Sequence, residues 1–171
     1  MKNALLIFAF LSFYLSSVHA SVEIRSNKLT TGDGLANNSI RYMFQDSKGF
    51  MWMGTVNGLS YYDGNSFVSI YPDPNLPISL AEPRIRNMVE DSNGFLWIAT
   101  ISSLYSCYDL KHGRFVDFTG CGEYKQSYSK KIIASDQSIW LWDNNNGCRR
   151  VVYQDGQFSS QAYKKELGNL S

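Results

Sequence analysis

Ser39-Ile-Arg-Tyr-Met-Phe-Gln-Asp-Ser-Lys-Gly-Phe-Met-Trp-Met-Gly-Thr55 is followed, 45 residues on, by Arg84-Ile-Arg-Asn-Met-Val-Glu-Asp-Ser-Asn-Gly-Phe-Leu-Trp-Ile-Ala-Thr100. Ile40, Arg41 and Met43 match Ile85, Arg86 and Met88. Asp46, Gly49, Trp52 and Thr55 match Asp91, Gly94, Trp97 and Thr100. A worn third copy has Ile133-Ala-Ser-Asp136, then Ile139-Trp-Leu-Trp142, with Trp140 taken as the repeat tryptophan and no turn glycine. A repeat of about 45 residues accommodates four short strands with tight turns, which is one propeller blade.

The strands of the first copy read as 39–45, 50–55, 59–63 and 66–71. Asp46-Ser-Lys-Gly49, Asn57-Gly58 and Asp63-Gly64-Asn65 supply the turns, Asn-Gly being a strong hairpin signal. The second copy follows the same plan, with Lys111-His112-Gly113 in its last turn. Phe50, Trp52 and Gly54 alternate with Met51 and Met53, so both faces of that strand carry apolar groups. A strand sandwiched between neighbouring blades requires this. Gly54 and Ala99 are small at one repeat position, which implies crowding there. Residues common to the copies, including Arg41 and Arg86, serve what the copies share, which is the scaffold. Binding residues are sought where the repeat breaks.

Working outward, residues 1–20 have the layout of a secretory signal peptide: Lys2, the apolar run Ala4–Leu15, and small residues ending at Ala20. Residues 21–38 read as a leading strand segment, 39–79 as blade 1, 80–120 as blade 2 and 121–160 as a degenerate blade 3. Residues 161–171 read as the start of a truncated next segment. The expected fold is all-β: a partial β-propeller of about three four-stranded blades. Propellers typically have about four to eight blades, so the chain reads as part of a larger one.

Removing Lys2 with the leader leaves 15 basic against 15 acidic residues. A neutral chain without a basic cluster argues against nucleic acid or an anionic membrane as partner. No second apolar stretch reaches spanning length, so no membrane contact is expected of the mature segment. Cys107, Cys121 and Cys148 match no metal motif; export permits a disulfide, and the pairing stays open. No metal or cofactor is expected.

Leu29-Thr-Thr-Gly-Asp-Gly-Leu-Ala-Asn-Asn-Ser-Ile40, then Asp46-x-x-Gly-x-x-Trp-x-Gly-Thr55 and Asn57-Gly-Leu59, resembles the two-component regulator propeller repeats. The resemblance covers residues 22–119 well and 120–160 weakly. It implies a seven-bladed propeller in the periplasmic sensor half of a Bacteroides-type hybrid two-component system, followed in the same polypeptide by further blades and a histidine kinase. It also implies an oligosaccharide ligand from a complex glycan, a homodimer, and control of a phosphorelay and of transcription. It identifies no ligand residues. Off the repeat, Tyr105, Trp142, Asn144, Asn145 and Asn146 are the candidates for sugar binding, since amides both donate and accept and Trp offers a stacking face. Asn-Asn-Asn-Gly147 is also what a turn looks like, and that is the reading its composition favours.

Three rival readings remain. A sialidase-like glycosidase wants Asp where Ser47 and Ser92 stand and two placed carboxylates, whereas Asp63, Asp109 and Asp155 read as turn residues. A quinone-cofactor dehydrogenase lacks its cofactor base and calcium site. A stand-alone exported interaction or carbohydrate-binding propeller is not distinguished by the sequence. The segment itself reads as non-catalytic.

Overall fold

The computed structural model describes residues 26–102, 104–118, 131–135, 138–143 and 147–163. The signal-peptide reading of 1–20, Cys121 and Asn144–Asn146 lie outside the described residues. Strands β1 (Ile40–Gln45), β2 (Met51–Thr55), β3 (Leu59–Tyr62) and β4 (Phe67–Ile70) form the first sheet. The second contains β5 (Ile85–Glu90), β6 (Phe95–Thr100), β7 (Tyr105–Asp109) and β8 (Arg114–Val116). The third contains β9 (Lys131–Ser135), β10 (Ser138–Asp143), β11 (Gly147–Gln154) and β12 (Gln157–Tyr163). Each is an antiparallel meander in chain order. The architecture is that of three four-stranded propeller blades. β1 lies against β5 and β5 against β9, so the first strand of each blade lines the inner side of the fan.

The apolar groups on both faces of the second strands end up between blades. Trp52 and Leu59 of blade 1 pack with Ile85, Met88, Leu96 and Ile98 of blade 2 in one core. Phe95, Trp97, Ala99 and Cys107 of blade 2 pack with Ile139, Leu141 and Val151 of blade 3 in the other. Trp52 and Trp97 are each only 1% exposed. Gly54 is explained by this packing. A Cβ there would lie 2.5 Å from Cγ2 and 2.8 Å from Cβ of Ile85 in the next blade.

The leading segment departs from the expected strand. Its described part, 26–38, contains a 3₁₀ turn over Thr31–Asp33 and no strand. Thr30 Oγ1 accepts the Gly32 N–H at 3.2 Å, and the Asp33 carboxylate accepts the Thr30 N–H at 2.7 Å. This reciprocal cap satisfies the backbone locally, so the run needs no ladder. Leu35 is then buried, and the Ala36 N–H donates to Ser60 Oγ at 2.9 Å. Blade 2 repeats the arrangement: Leu80 is buried and the Ala81 N–H donates to Ser106 Oγ at 2.8 Å. The structural repeat therefore opens at Leu35 and Leu80, ahead of the first paired strand.

Asn57-Gly58 is a turn, but not the two-residue type I′ turn that Asn-Gly favours. Of the two, only Gly58 has positive φ, at 114°. Thr55 Oγ1 takes the Asn57 N–H at 3.0 Å and donates to the Gly58 carbonyl at 2.8 Å, which holds a wider loop. The two-residue turn with both central residues at positive φ is instead Asp155-Gly156, with φ 52° and 80°, between β11 and β12.

Candidate functional site

The repeat residues build one device twice. Asp46 follows β1, and its Oδ1 accepts the Lys48 and Phe50 N–H groups, both at 2.9 Å. Its Oδ2 accepts the Trp52 indole N–H at 2.7 Å. In blade 2, Asp91 Oδ1 takes the Asn93 N–H at 2.9 Å and the Phe95 N–H at 3.0 Å, and Oδ2 takes the Trp97 indole N–H at 2.9 Å. One buried carboxylate thus closes the turn and fixes the tryptophan that fills the space to the next blade. Gly49 and Gly94 sit in the same turns at φ 89° and 80°. Thr55 and Thr100, both 0% exposed, close the next turn through hydroxyl bonds to the Gly58 and Leu104 carbonyls.

Blade 3 breaks the device. Trp140 pairs with Ile133 and Arg150, as Trp97 pairs with Val89 and Cys107, and Ile139 and Leu141 take the places of Leu96 and Ile98. Ser135 pairs with Ser138, two positions beyond Ile133, the partner of Trp140. Ser135 therefore stands at the register position of Asp46 and Asp91. Trp140 is half-buried, 5.3 Å from the Tyr163 ring with the Arg150 guanidinium 6.0 Å above it. By the same register Trp142 occupies the position of Gly54 and Ala99. Only its backbone is described.

The register shifts at Arg41 and at Arg86, so each is a bulge residue on an innermost strand. A bulge redirects a side chain without ending the pairing. Arg41 is exposed, while the Arg86 guanidinium donates to the Ile101 carbonyl at 3.4 Å.

Of the ligand candidates, Tyr105 opens β7 and is half-buried. It lines a cleft of about 480 Å³ between the 72–81 connection and strands β7 and β8. Trp142 lies near the end of β10 and belongs to another blade. The other turn carboxylates are engaged as well. Asp63 Oδ1 accepts the Ser66 and Asn65 N–H groups at 2.7 and 2.8 Å, and these bonds hold its pKa below the usual carboxylate value. Asp109 Oδ1 accepts the Lys111 and His112 N–H groups, and Oδ2 lies 2.6 Å from His112 Nδ1. Burial alone would raise the Asp109 pKa, but these bonds outweigh it and the net shift is downward. Cys107 and Cys148 carry free thiols. Burial, helped by the negative charges of Asp91 and Asp109, pushes the Cys107 thiol far up, so it stays protonated and unreactive. Among the described residues there is no cluster of metal-ligating side chains, and no helix is long and apolar enough to cross a membrane.

The two segments that open at Leu35 and Leu80 also match a family model. The model for the two component regulator propeller matches residues 34–57 and 79–102. Two stretches of the chain thus match two-component regulator propeller repeats. The matches begin just ahead of the buried Leu35 and Leu80, and they span both Asp–Trp devices. No curated protein sequence matches the chain. Among solved structures, it resembles the extracellular domain of BT3049 from B. thetaiotaomicron, described as a hybrid two-component system. The TM-score is 0.66 at 22% identity, covering 82% of this chain and 20% of that one. That likeness bears on the fold. Two structures of the extracellular domain of BT4673 from the same organism, described once as a one-component and once as a hybrid two-component system, also align. They give TM-scores of 0.57 and 0.55 at 25% and 27% identity, covering 81% and 78% of this chain and 22% and 20% of theirs. The chain thus spans about one fifth of the length of the structures it matches.

Proposed function

We propose that this chain is an exported, ligand-sensing propeller segment of a transmembrane two-component sensor. In this reading the sensor works in the periplasm, detects an oligosaccharide derived from a glycan, and controls a phosphorelay and through it transcription. The observation that carries the reading is the pair of regulator propeller repeats, set in blades that align with an extracellular domain described both as a one-component and as a hybrid two-component system. Ligand binding outside the membrane biases a two-state arrangement, and the kinase reports the bias inside. The commitment of Asp46, Asp63, Asp91 and Asp109 to turn N–H groups supports a binding role over an acid–base one.

Two measurements test it. The genomic frame past codon 171 is expected to continue through further tryptophan-spaced blades, a transmembrane helix and a histidine kinase. A stop codon at that point with no adjoining kinase frame removes the signalling claim and leaves an exported module. In the full sensor, Trp142→Ala is expected to weaken oligosaccharide binding without unfolding the propeller. Collapse of stability instead makes Trp142 part of the packing.

A further inference from the structure

A groove of about 490 Å³ lies between the β7–β8 hairpin of blade 2 and the β11–β12 hairpin of blade 3. Its floor is aromatic. The half-buried rings of Tyr153 and Phe158 lie 4.8 Å apart and rest on Phe95 at 4.7 and 5.2 Å. Its rim is polar, and most of that rim is already committed. Both oxygens of Asp109 are engaged by the Lys111 and His112 N–H groups and by His112 Nδ1. Asp117, also at the rim, has a partner of its own.

Two rim groups have no partner among the described residues. Arg114 opens β8 opposite Asp109 and is exposed, and its side chain makes no ion pair or hydrogen bond among the described residues. His112 is fixed through Nδ1 by Asp109, its side chain 55% exposed, which leaves Nε2 uncommitted. An apolar floor of mutually tilted rings beside an unpaired guanidinium and an oriented imidazole is complementary to a carboxylate on a body with an apolar face. Guanidinium and carboxylate pair in a planar, two-bonded geometry, and the ring packs on the aromatic floor. An apolar groove with a few convergent polar groups is the usual form of a small-molecule site.

We propose that this groove binds a small carboxylate with a flat apolar face, held by Arg114 and His112 over Tyr153 and Phe158. Sugar acids and aromatic acids share that chemistry. The inference does not rest on the sensor reading, since the groove uses no residue singled out for oligosaccharide binding.

The test is calorimetric and NMR titration of the chain with galacturonate, benzoate, acetate and neutral galactose. Saturable binding of galacturonate or benzoate is expected, the tighter of the two naming the source. Acetate lacks the body and galactose the charge, so both are expected to bind about tenfold more weakly. Arg114→Gln is expected to weaken the acid about tenfold with an unchanged circular dichroism spectrum, because an exposed, unpaired side chain is removed. His112→Gln is expected to weaken it less. Absence of saturable binding by either acid overturns the proposal, and so does an affinity that Arg114→Gln leaves unchanged. Failure here leaves the sensor reading standing, and a stop codon after residue 171 leaves this groove standing.

Discussion

The clearest single residue is Gly54, whose φ is ordinary and whose role is space. Gly54→Ala places a methyl against Ile85 and is expected to cost about 1–3 kcal/mol, as overpacking does. Ile85→Ala costs stability by itself, since Ile85 is fully buried. The two substitutions share one contact across two blades. In urea unfolding the double mutant is therefore expected to lose about 1 kcal/mol less than the sum of the singles, because shortening Ile85 makes room for the added methyl. Strictly additive values would show that the blades do not meet there. The sequence announced this crowding through the paired small residues Gly54 and Ala99. It did not announce what Asp46 and Asp91 do. Their spacing to Trp52 and Trp97 was visible, but the indole bond depends on a side-chain direction that only the folded turn sets.

At the scale of the element, the β7–β8 hairpin joins a turn to a titration. The folded-state pKa of Asp109 is lowered, so its contribution to stability is complete above the ordinary carboxylate pKa of about 3.9 and is lost as pH falls through the folded value. Burial opposes this lowering and the His112 ring bond is the largest of the opposing contributions. His112→Gln is therefore expected to move the Asp109 carboxyl titration, followed by carbon-13 NMR, to higher pH. An unmoved midpoint would mean that the backbone N–H groups suffice. The strands of the first blade were legible to within a residue, because alternation and turn glycines mark them. Two elements were not. The leading segment 21–38 reads as strand, yet its described part, 26–38, caps itself through Thr30 and Asp33, and Asn57-Gly58 reads as a hairpin turn by its dipeptide while Thr55 decides its shape. The early start of the repeat was present as Leu35-Ala36 and Leu80-Ala81. The pair lies ahead of the strand pattern, so strand alternation does not mark it.

For the whole molecule, what matters is how one blade grips the next. Besides the two cores, Glu90 of blade 2 accepts the Ser47 N–H at 2.7 Å and the Ser47 hydroxyl at 2.6 Å from blade 1. Lys48 of blade 1 donates to the Leu110 carbonyl of blade 2. Glu90→Ala is expected to speed hydrogen exchange at the Ser47 amide while the Trp97 indole stays protected, with a global cost of about 1 kcal/mol. Equal loss of protection at both would mean that the two blades open as one unit. By itself the sequence determined the blade, because a period of two along each strand and a period of about 45 along the chain are both written in residue type. Only the tertiary structure decided which repeat positions meet. It set Gly54 against Ile85, put Ser135 where the other blades carry Asp, assigned Trp142 the register position of Gly54, and opened the groove between two hairpins far apart in the chain. Such meetings depend on how sheets pack face to face, and no local pattern of residues encodes that distance.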